Sequence, residues 1–149
     1  MLESEIFDRY YNLALRFLSY RPRSEKEVYE YLKGKIQKSK GKSLNGEIIA
    51  KIMSRLAELD FVDDSTFVRW WIENRKKGGR LIKLELLQKG ISKETIEEAL
   101  LKFDIAKKEN DLIKKFIEKK KSLPYEKLVA YLLRRGFDYE TIKKALKQL

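Results

Sequence analysis

The chain repeats itself, and that repetition restricts its possible folds more than any other feature. Residues 86–100 read LLQKGISKETIEEAL and residues 132–146 read LLRRGFDYETIKKAL, an ungapped offset of 46 positions. Leu86, Leu87, Gly90, Glu94, Thr95, Ile96, Ala99 and Leu100 recur as Leu132, Leu133, Gly136, Glu140, Thr141, Ile142, Ala145 and Leu146. A fixed period in this range marks stacked repeats, each of which buries its apolar face only partly on its own. Such a chain presents a long surface to a partner more readily than it encloses a catalytic pocket.

Helical spacing fills each period, and strand-like alternation is nowhere sustained. In the middle repeat, Phe67, Trp70 and Trp71 fall at i, i+3 and i+4, which predicts one buried helical face. That stripe assigns the two tryptophans to packing rather than to stacking on bases. Ile82 and Leu86 define a second helix ending at Gly90, since glycine just past a helix end takes the left-handed conformation at little cost. Ser92 then caps a third helix with Ile96, Ala99, Leu100 and Phe103 inward. The last repeat follows the same plan. Ile113, Phe116 and Ile117 mark its first helix. Ser122 and Pro124 precede the second, which carries Leu128 and Leu132 and stops at Gly136. Asp138 caps the third, with Ile142, Ala145 and Leu146 buried.

The first repeat diverges. Leu13, Ala14, Phe17 and Leu18 form its first stripe. Ser24 and Glu27 make an S-x-x-E capping box, and Val28, Tyr31 and Leu32 follow, with Gly34 as the expected stop. A polar, Lys-rich loop is expected over 35–46 (KIQKSKGKSLNG), before a helix carrying Ile49, Ile52, Met53 and Leu56. The expected division is repeat 1 over 1–60, repeat 2 over 61–104 and repeat 3 over 105–149, in an all-α fold. Tyr20, Tyr29 and Tyr125 fall outside the stripes and are expected at the surface.

Composition narrows the chemistry. The 149 residues are 43% hydrophobic, enough for a core, yet no apolar run approaches the ~18 residues of a membrane span. The opening MLESEIFDRYYN carries acids early and does not read as a secretion signal. Cysteine and histidine are both absent, which removes disulfides, the Cys nucleophile, the commonest general base and the commonest soft metal ligands. No P-loop and no GxGxxG occurs. Asp63 and Asp64 are the one pair that looks like clustered carboxylates, and they stand just before a helical pattern, where aspartate caps free N–H groups. The expectation is a cytoplasmic protein that is not an enzyme, with no catalytic residue, no cofactor, no metal and no membrane partner.

Charge is the second strong signal. Thirty-four Lys and Arg stand against 23 Asp and Glu, a net charge of +11, with an isoelectric point near 9.7. A basic surface attracts polyanions and speeds their capture. Lys- and Glu-rich surfaces also occur in heat-adapted chains, but an excess of one sign favours nucleic acid or an assembly that contains it.

Ordered motifs then match a known family. The segment LAELDFVDDSTFVRWWIENRKKGG, followed by IKLELLQKGI, resembles the regulatory protein RecX family. Similar there are the leucine-rich helix end, the aromatic-hydrophobic-Asp-Asp step, the Trp-Ile pair, the basic turn and the L-x-x-K-G-I helix end. ALRFLSYRPRSEKEVYEYL is similar to the family's N-terminal A-x-x-x-L-x-x-R-x-x-S-x-x-E stretch, and the likeness runs over roughly 10–149. Two departures stand out. The loop at 35–46 replaces a K-G-apolar turn, and Lys77-Gly78-Gly79-Arg80 stands where an aromatic-Gly turn is more typical.

The resemblance implies three tandem three-helix repeats in an elongated, curved body. It implies a regulator of homologous recombination, DNA repair and the SOS response that lies in the groove of the RecA–DNA filament and inhibits ATP hydrolysis and strand exchange. The partners would be the RecA nucleoprotein filament and single- or double-stranded DNA, bound weakly and salt-dependently by a monomer. The candidate contact residues are Arg21, Arg23, Arg69, Arg75, Lys76, Lys77, Arg80, Lys83, Lys89, Arg134 and Arg135, which cluster at helix ends and turns. The rival expectations are a stand-alone basic DNA-binding protein with helix-turn-helix-like repeats and a structural adaptor for another acidic protein.

Overall fold

The computed structural model of the chain describes residues 3–38 and 45–148. Among these residues there are nine helices and no strand. They are α1 (Glu3–Tyr20), α2 (Glu25–Gln37), α3 (Asn45–Glu58), α4 (Asp64–Asn74), α5 (Gly79–Gln88), α6 (Lys93–Lys102), α7 (Ile105–Lys119), α8 (Tyr125–Arg134) and α9 (Tyr139–Lys147). The order is three successive triplets, as the internal repeat predicts. The chain divides into two compact units, Met1–Trp70 with Lys89–Ile91 and Trp71–Gln88 with Ser92–Leu149.

In the first unit, Tyr10 and Ala14 of α1, Val28, Leu32 and Ile36 of α2, and Ile48, Ile49, Ile52 and Leu56 of α3 form one buried cluster. The α2 start is fixed by its own sequence. Ser24 Oγ accepts from the Glu27 N–H at 3.1 Å, and the Glu27 carboxylate accepts from the Ser24 N–H at 3.1 Å. A further acceptor comes from far along the chain, because Asp64 Oδ1 takes the Glu25 N–H at 2.8 Å. Asp63 closes the first turn of α4, accepting from the Ser65 N–H at 3.0 Å and from the Thr66 hydroxyl at 3.1 Å. Both aspartates are therefore occupied as helix caps, and a bond from the Ser65 hydroxyl at 2.7 Å does most to hold the Asp63 carboxyl below its ordinary pKa, against the opposing effect of burial.

Gly34 does not stop α2, contrary to the expectation above. The helix runs on through Gln37, and Ile36 is buried. Val28, Leu32 and Ile36 lie at i, i+4 and i+8, so continuing the helix completes an apolar stripe that outweighs the ~1 kcal/mol cost of an interior glycine. Of the expected 35–46 loop, residues 35–37 belong to α2 and 45–46 to α3, while 39–44 lie outside the described residues. A Cβ at Gly34 would meet nothing within 4 Å. Gly34→Ala is therefore expected to stabilise the protein by about 0.5–1 kcal/mol, read as a rise in the thermal midpoint by circular dichroism.

In the second unit, Leu112, Ile113 and Phe116 of α7, Leu128, Val129 and Leu132 of α8, Phe137, and Ile142 and Ala145 of α9 form the corresponding cluster. Ser92 caps α6 through the Thr95 N–H at 3.2 Å, and Asp138 caps α9 through the Thr141 N–H at 2.8 Å. Along α4, the buried stripe is Phe67, Val68 and Ile72 rather than Phe67, Trp70 and Trp71. The two indoles are half-buried, because an amphipathic ring does best with its body covered and its N–H on a polar partner. Trp71 Nε1 donates to Glu85 at 3.2 Å.

Two glycines end helices in the expected left-handed conformation, Gly90 at φ 86° and Gly136 at φ 94°. Space forbids a side chain at both. A Cβ on Gly90 would stand 2.7 Å from the Lys26 Cβ of α2 in the first unit, and one on Gly136 would overlap the Leu81 Cβ of α5 in the second. The glycine turn thus lies against the first turn of an earlier helix in each case.

Candidate functional site

In the first unit, three candidate cations converge on one carboxylate. Glu27, already committed to the capping box, also receives Arg21, which bridges it through both terminal guanidinium nitrogens. The Lys89 Nζ lies 3.3 Å away and an Arg23 Nη1 4.0 Å away. The Glu27 side chain is only 11% exposed. Burial alone would push its carboxyl up. The hydrogen bonds from Arg21 and the Ser24 N–H, with the charges of Arg21 and Lys89, outweigh that and hold it below the usual glutamate value. The arginines are also stacked. Arg23 lies 3.8 Å over the Phe17 ring, and Arg21 lies 5.6 Å over Trp70 and 5.9 Å over Phe67. Arg69 is exposed on α4.

In the second unit, the turn after α4 packs against the turn after α8. The Gly78 N–H donates to the Arg135 carbonyl at 2.9 Å. An Arg135 Nη2 donates to the Lys76 carbonyl, and an Arg80 Nη2 to the Leu133 carbonyl, both at 3.0 Å. A Cβ on Gly78 would overlap the Gly136 carbonyl, so only two glycines allow this approach. The double turn brings together Lys76, Lys77, Arg80, Arg134 and Arg135. Lys76 and Arg134 are exposed there, whereas the Arg135 guanidinium lies 4.3 Å over Phe116.

Two other candidates are drawn off by carboxylates. Arg75 Nε lies 2.9 and 3.0 Å from the two Glu85 oxygens. This pairing raises the Arg75 pKa against a lesser effect of burial. Lys83 Nζ pairs with Glu97 at 3.3 Å. Arg75 is therefore not an ordinary residue of an exposed turn, and reversing its charge would set a carboxylate against Glu85. Neither carboxylate was among the sequence candidates, although Lys83 and Glu97 stand on two helices that the repeat itself predicts.

A cleft of about 480 Å³ opens in the same unit, lined by Glu73, Asn74, Arg75 and Lys76 from the end of α4 and by Phe103, Asp104, Lys107, Lys108, Asp111, Leu112 and Lys115. Lys108 is half-buried on its wall and donates to the Arg75 carbonyl at 3.0 Å. Burial pushes its amine down, against the opposing charge of Glu73. Glu109, on the same helix, turns away and accepts from the Gly79 N–H at 3.0 Å. Burial and the neighbouring Asp138 hold its carboxyl above the ordinary value despite that bond. Sequence reasoning passed over the lysines of α7. Their signal was the spacing Lys107, Lys115, Lys119 on one helical face.

No helix among the described residues is long and apolar enough to cross a membrane. Residues 11–36 match the family model described as the first three-helix domain of RecX, and residues 65–100 match that of its second three-helix domain. The chain is 34% identical over 140 residues to the regulatory protein RecX of Caldanaerobacter subterraneus subsp. tengcongensis, covering 91% of this chain and 68% of that protein. It is 31% identical over 158 aligned positions to the regulatory protein RecX of Oceanobacillus iheyensis, covering 99% of this chain and 56% of that protein. The crystal structure of RecX from Lactobacillus salivarius superposes with a TM-score of 0.70 at 28% identity, covering 98% of this chain and 97% of that one. Several curated relatives are longer, and the chain spans about half the length of those from Oceanobacillus and Streptococcus uberis.

Proposed function

The chain belongs to the RecX family, and from that premise we propose that it regulates recombination and DNA repair by binding the RecA–DNA filament in its groove and slowing its ATPase and strand exchange. The observation that carries this is the extent of the likeness, which runs through 91% of the chain in the Caldanaerobacter relative. The relatives are named regulatory proteins, in keeping with action on a partner rather than on a substrate.

The physical mechanism is multivalent contact. A chain of repeats, taken as 1–60, 61–104 and 105–149, touches more than one filament subunit at once, and linked contacts raise affinity through effective concentration. If those contacts favour one relative arrangement of subunits, the filament is held there and the ATPase cycle slows. The work is done by one chain in the cytoplasm. The basic double turn supplies the contact, with Lys76, Lys77, Arg80 and Arg134 toward acidic groups or DNA phosphates and Arg135 bracing the turn through the Lys76 carbonyl. Arg21, Arg23 and Lys89 share their charge with Glu27, and Arg75 with Glu85. They contribute less as direct contacts than as supports.

The test is ATP hydrolysis by RecA from the same organism on single-stranded DNA, titrated with this protein. Substoichiometric to equimolar amounts should lower the rate and lengthen the state in which the filament is arrested. Unchanged hydrolysis and filament lifetime with a folded preparation would refute the proposal, and tight, salt-steep binding to a short duplex without RecA would then favour the stand-alone DNA binder.

A further inference from the structure

We propose that the exposed face of α7, together with the cleft at its N-terminal end, is a seat for single-stranded nucleic acid, with phosphates along the helix and a base against Phe103. The inference deepens the DNA part of the proposed function and rests on it, and it extends the contact from Lys76 of the basic double turn onto α7.

The first support is the geometry of the cations. Lys107, Lys115 and Lys119 lie at i, i+8 and i+12, all exposed, and a rise of about 1.5 Å per residue spreads them over ~18 Å. Successive phosphates of one strand stand about 3.4 Å apart along a duplex axis, so the row outlasts any mononucleotide and suits a polymer. Lys114 is exposed beside it, and Lys120 and Lys121 continue past the helix end. The acids on this segment are partly spent. Glu109 is turned onto the Gly79 N–H, and Glu118 is paired with Lys121 at 2.7 Å. Three carboxylates, Glu73, Asp104 and Asp111, face the cleft with Arg75 and the four lysines, and Asp104 is also the cap of α7, accepting from the Lys107 N–H at 3.4 Å.

The second support is the cleft itself. Lys76, Lys107 and Lys115 line it with Phe103, and Lys108 on its wall is held by the Arg75 carbonyl; an aromatic ring in a groove rich in lysine is the combination by which single strands are held without sequence preference. A lipid surface fits poorly. A basic helix binds a bilayer by burying its apolar face there, and the apolar face of α7, Leu112, Ile113 and Phe116, is already spent in the core.

The experiment uses the full chain and a fluorescein-labelled 20-mer of dT, read by anisotropy across salt and without RecA. Lys107→Glu/Lys115→Glu/Lys119→Glu should weaken binding by tenfold or more, and the slope of log K against log salt should fall by about 2, at roughly 0.7 per phosphate released. Phe103→Leu should weaken dT binding several-fold with the slope unchanged. The charge-matched control Lys33→Glu/Lys35→Glu/Lys38→Glu, at the C-terminal end of α2 and its cap, should change it threefold at most. Circular dichroism checks that each variant is folded. Equal losses in the two triple variants, no loss in either, or a duplex of the same length bound more tightly than dT would each overturn the proposal. RecA ATPase with the same α7 variant separates the two ideas. Lost dT binding with inhibition retained supports the seat and makes inhibition a matter of protein contacts. Intact dT specificity in a wild-type protein that never inhibits RecA removes the filament reading and leaves the seat standing.

Discussion

Gly136→Val is expected to lower the stability of the protein by about 3 kcal/mol or more, one of the largest losses from a single residue outside the apolar core. Two costs combine. A β-branched residue held at positive φ is strained by roughly 1–2 kcal/mol, and Gly136 stands at φ 94°. The added carbon atoms would also overlap Leu81 at the start of α5 and crowd the Gly78 carbonyl, and overpacking against backbone costs about 1–3 kcal/mol. For a chain of this size, each kcal/mol moves the thermal midpoint by about 2–4 °C, so a fall of roughly 10 °C is the expected reading in a circular dichroism melt. Gly78→Ala should behave similarly, since its Cβ would meet the Gly136 carbonyl, whereas Gly34→Ala should move the midpoint upward. Equal tolerance at Gly136 and Gly34 would refute the packed double turn.

Removing the Glu27 carboxylate is the second large change. Glu27→Ala leaves Arg21, Arg23 and Lys89 facing one another and also breaks the capping box. With the cations partly open to solvent, the expected loss is about 2–3 kcal/mol, below the 3–5 of a fully buried broken pair. Glu27→Gln keeps an N3 side chain able to complete the box and should lose less. The effect has a pH signature. The Glu27 carboxyl is held below its ordinary value in the folded protein, so its contribution is fully present above the unfolded value of about 4.3. It fades as pH falls through that value and is gone below the lowered folded one. Asp63 and Asp138 are lowered too, chiefly by bonds from Ser65 and Thr141 at their helix starts, and add to the same acid loss. Urea unfolding at pH 7 and pH 3 should therefore show wild type and Glu27→Gln well separated at the higher pH and converging at the lower. A separation that stayed constant across this range would mean the charge of Glu27 stabilises nothing.

Local signals in the sequence translated into structure with few errors. Ser24, Ser92 and Asp138 cap the helices they precede, and Gly90 and Gly136 take positive φ, because each depends on residues within a few positions. Tyr20, Tyr29 and Tyr125 are exposed as expected. Gly34 misled because its meaning depends on Ile36, whose burial against the first-unit core outweighs the local stop signal. The tryptophans misled because periodicity locates a face but not its edge. For the candidate site, the sequence marks where basic residues are dense but not which carboxylates claim them. Lys89 and Glu27 meet across 62 positions, and no local pattern encodes such a pairing. The same blindness hid the cleft, whose Lys107 and Lys108 belong to a stretch that reads as an ordinary solvated helix face.

The distribution of caps carries a consequence for how the chain is made. In α2, α6, α7 and α9, the first turn is closed by a side chain only three residues from the N–H it satisfies. Closing that turn is the costly nucleating step of helix formation, so each of these segments can begin to coil as soon as it leaves the ribosome. Helix α8 opens at Pro124 with no side-chain cap and has to wait for Leu128 and Leu132 to find the core. The glycine turns at Gly90 and Gly136 pack against Lys26 and Leu81, which stand well before them in the chain. Synthesis from the N-terminus delivers the earlier helix first in each case, so each glycine turn emerges after the surface it packs on.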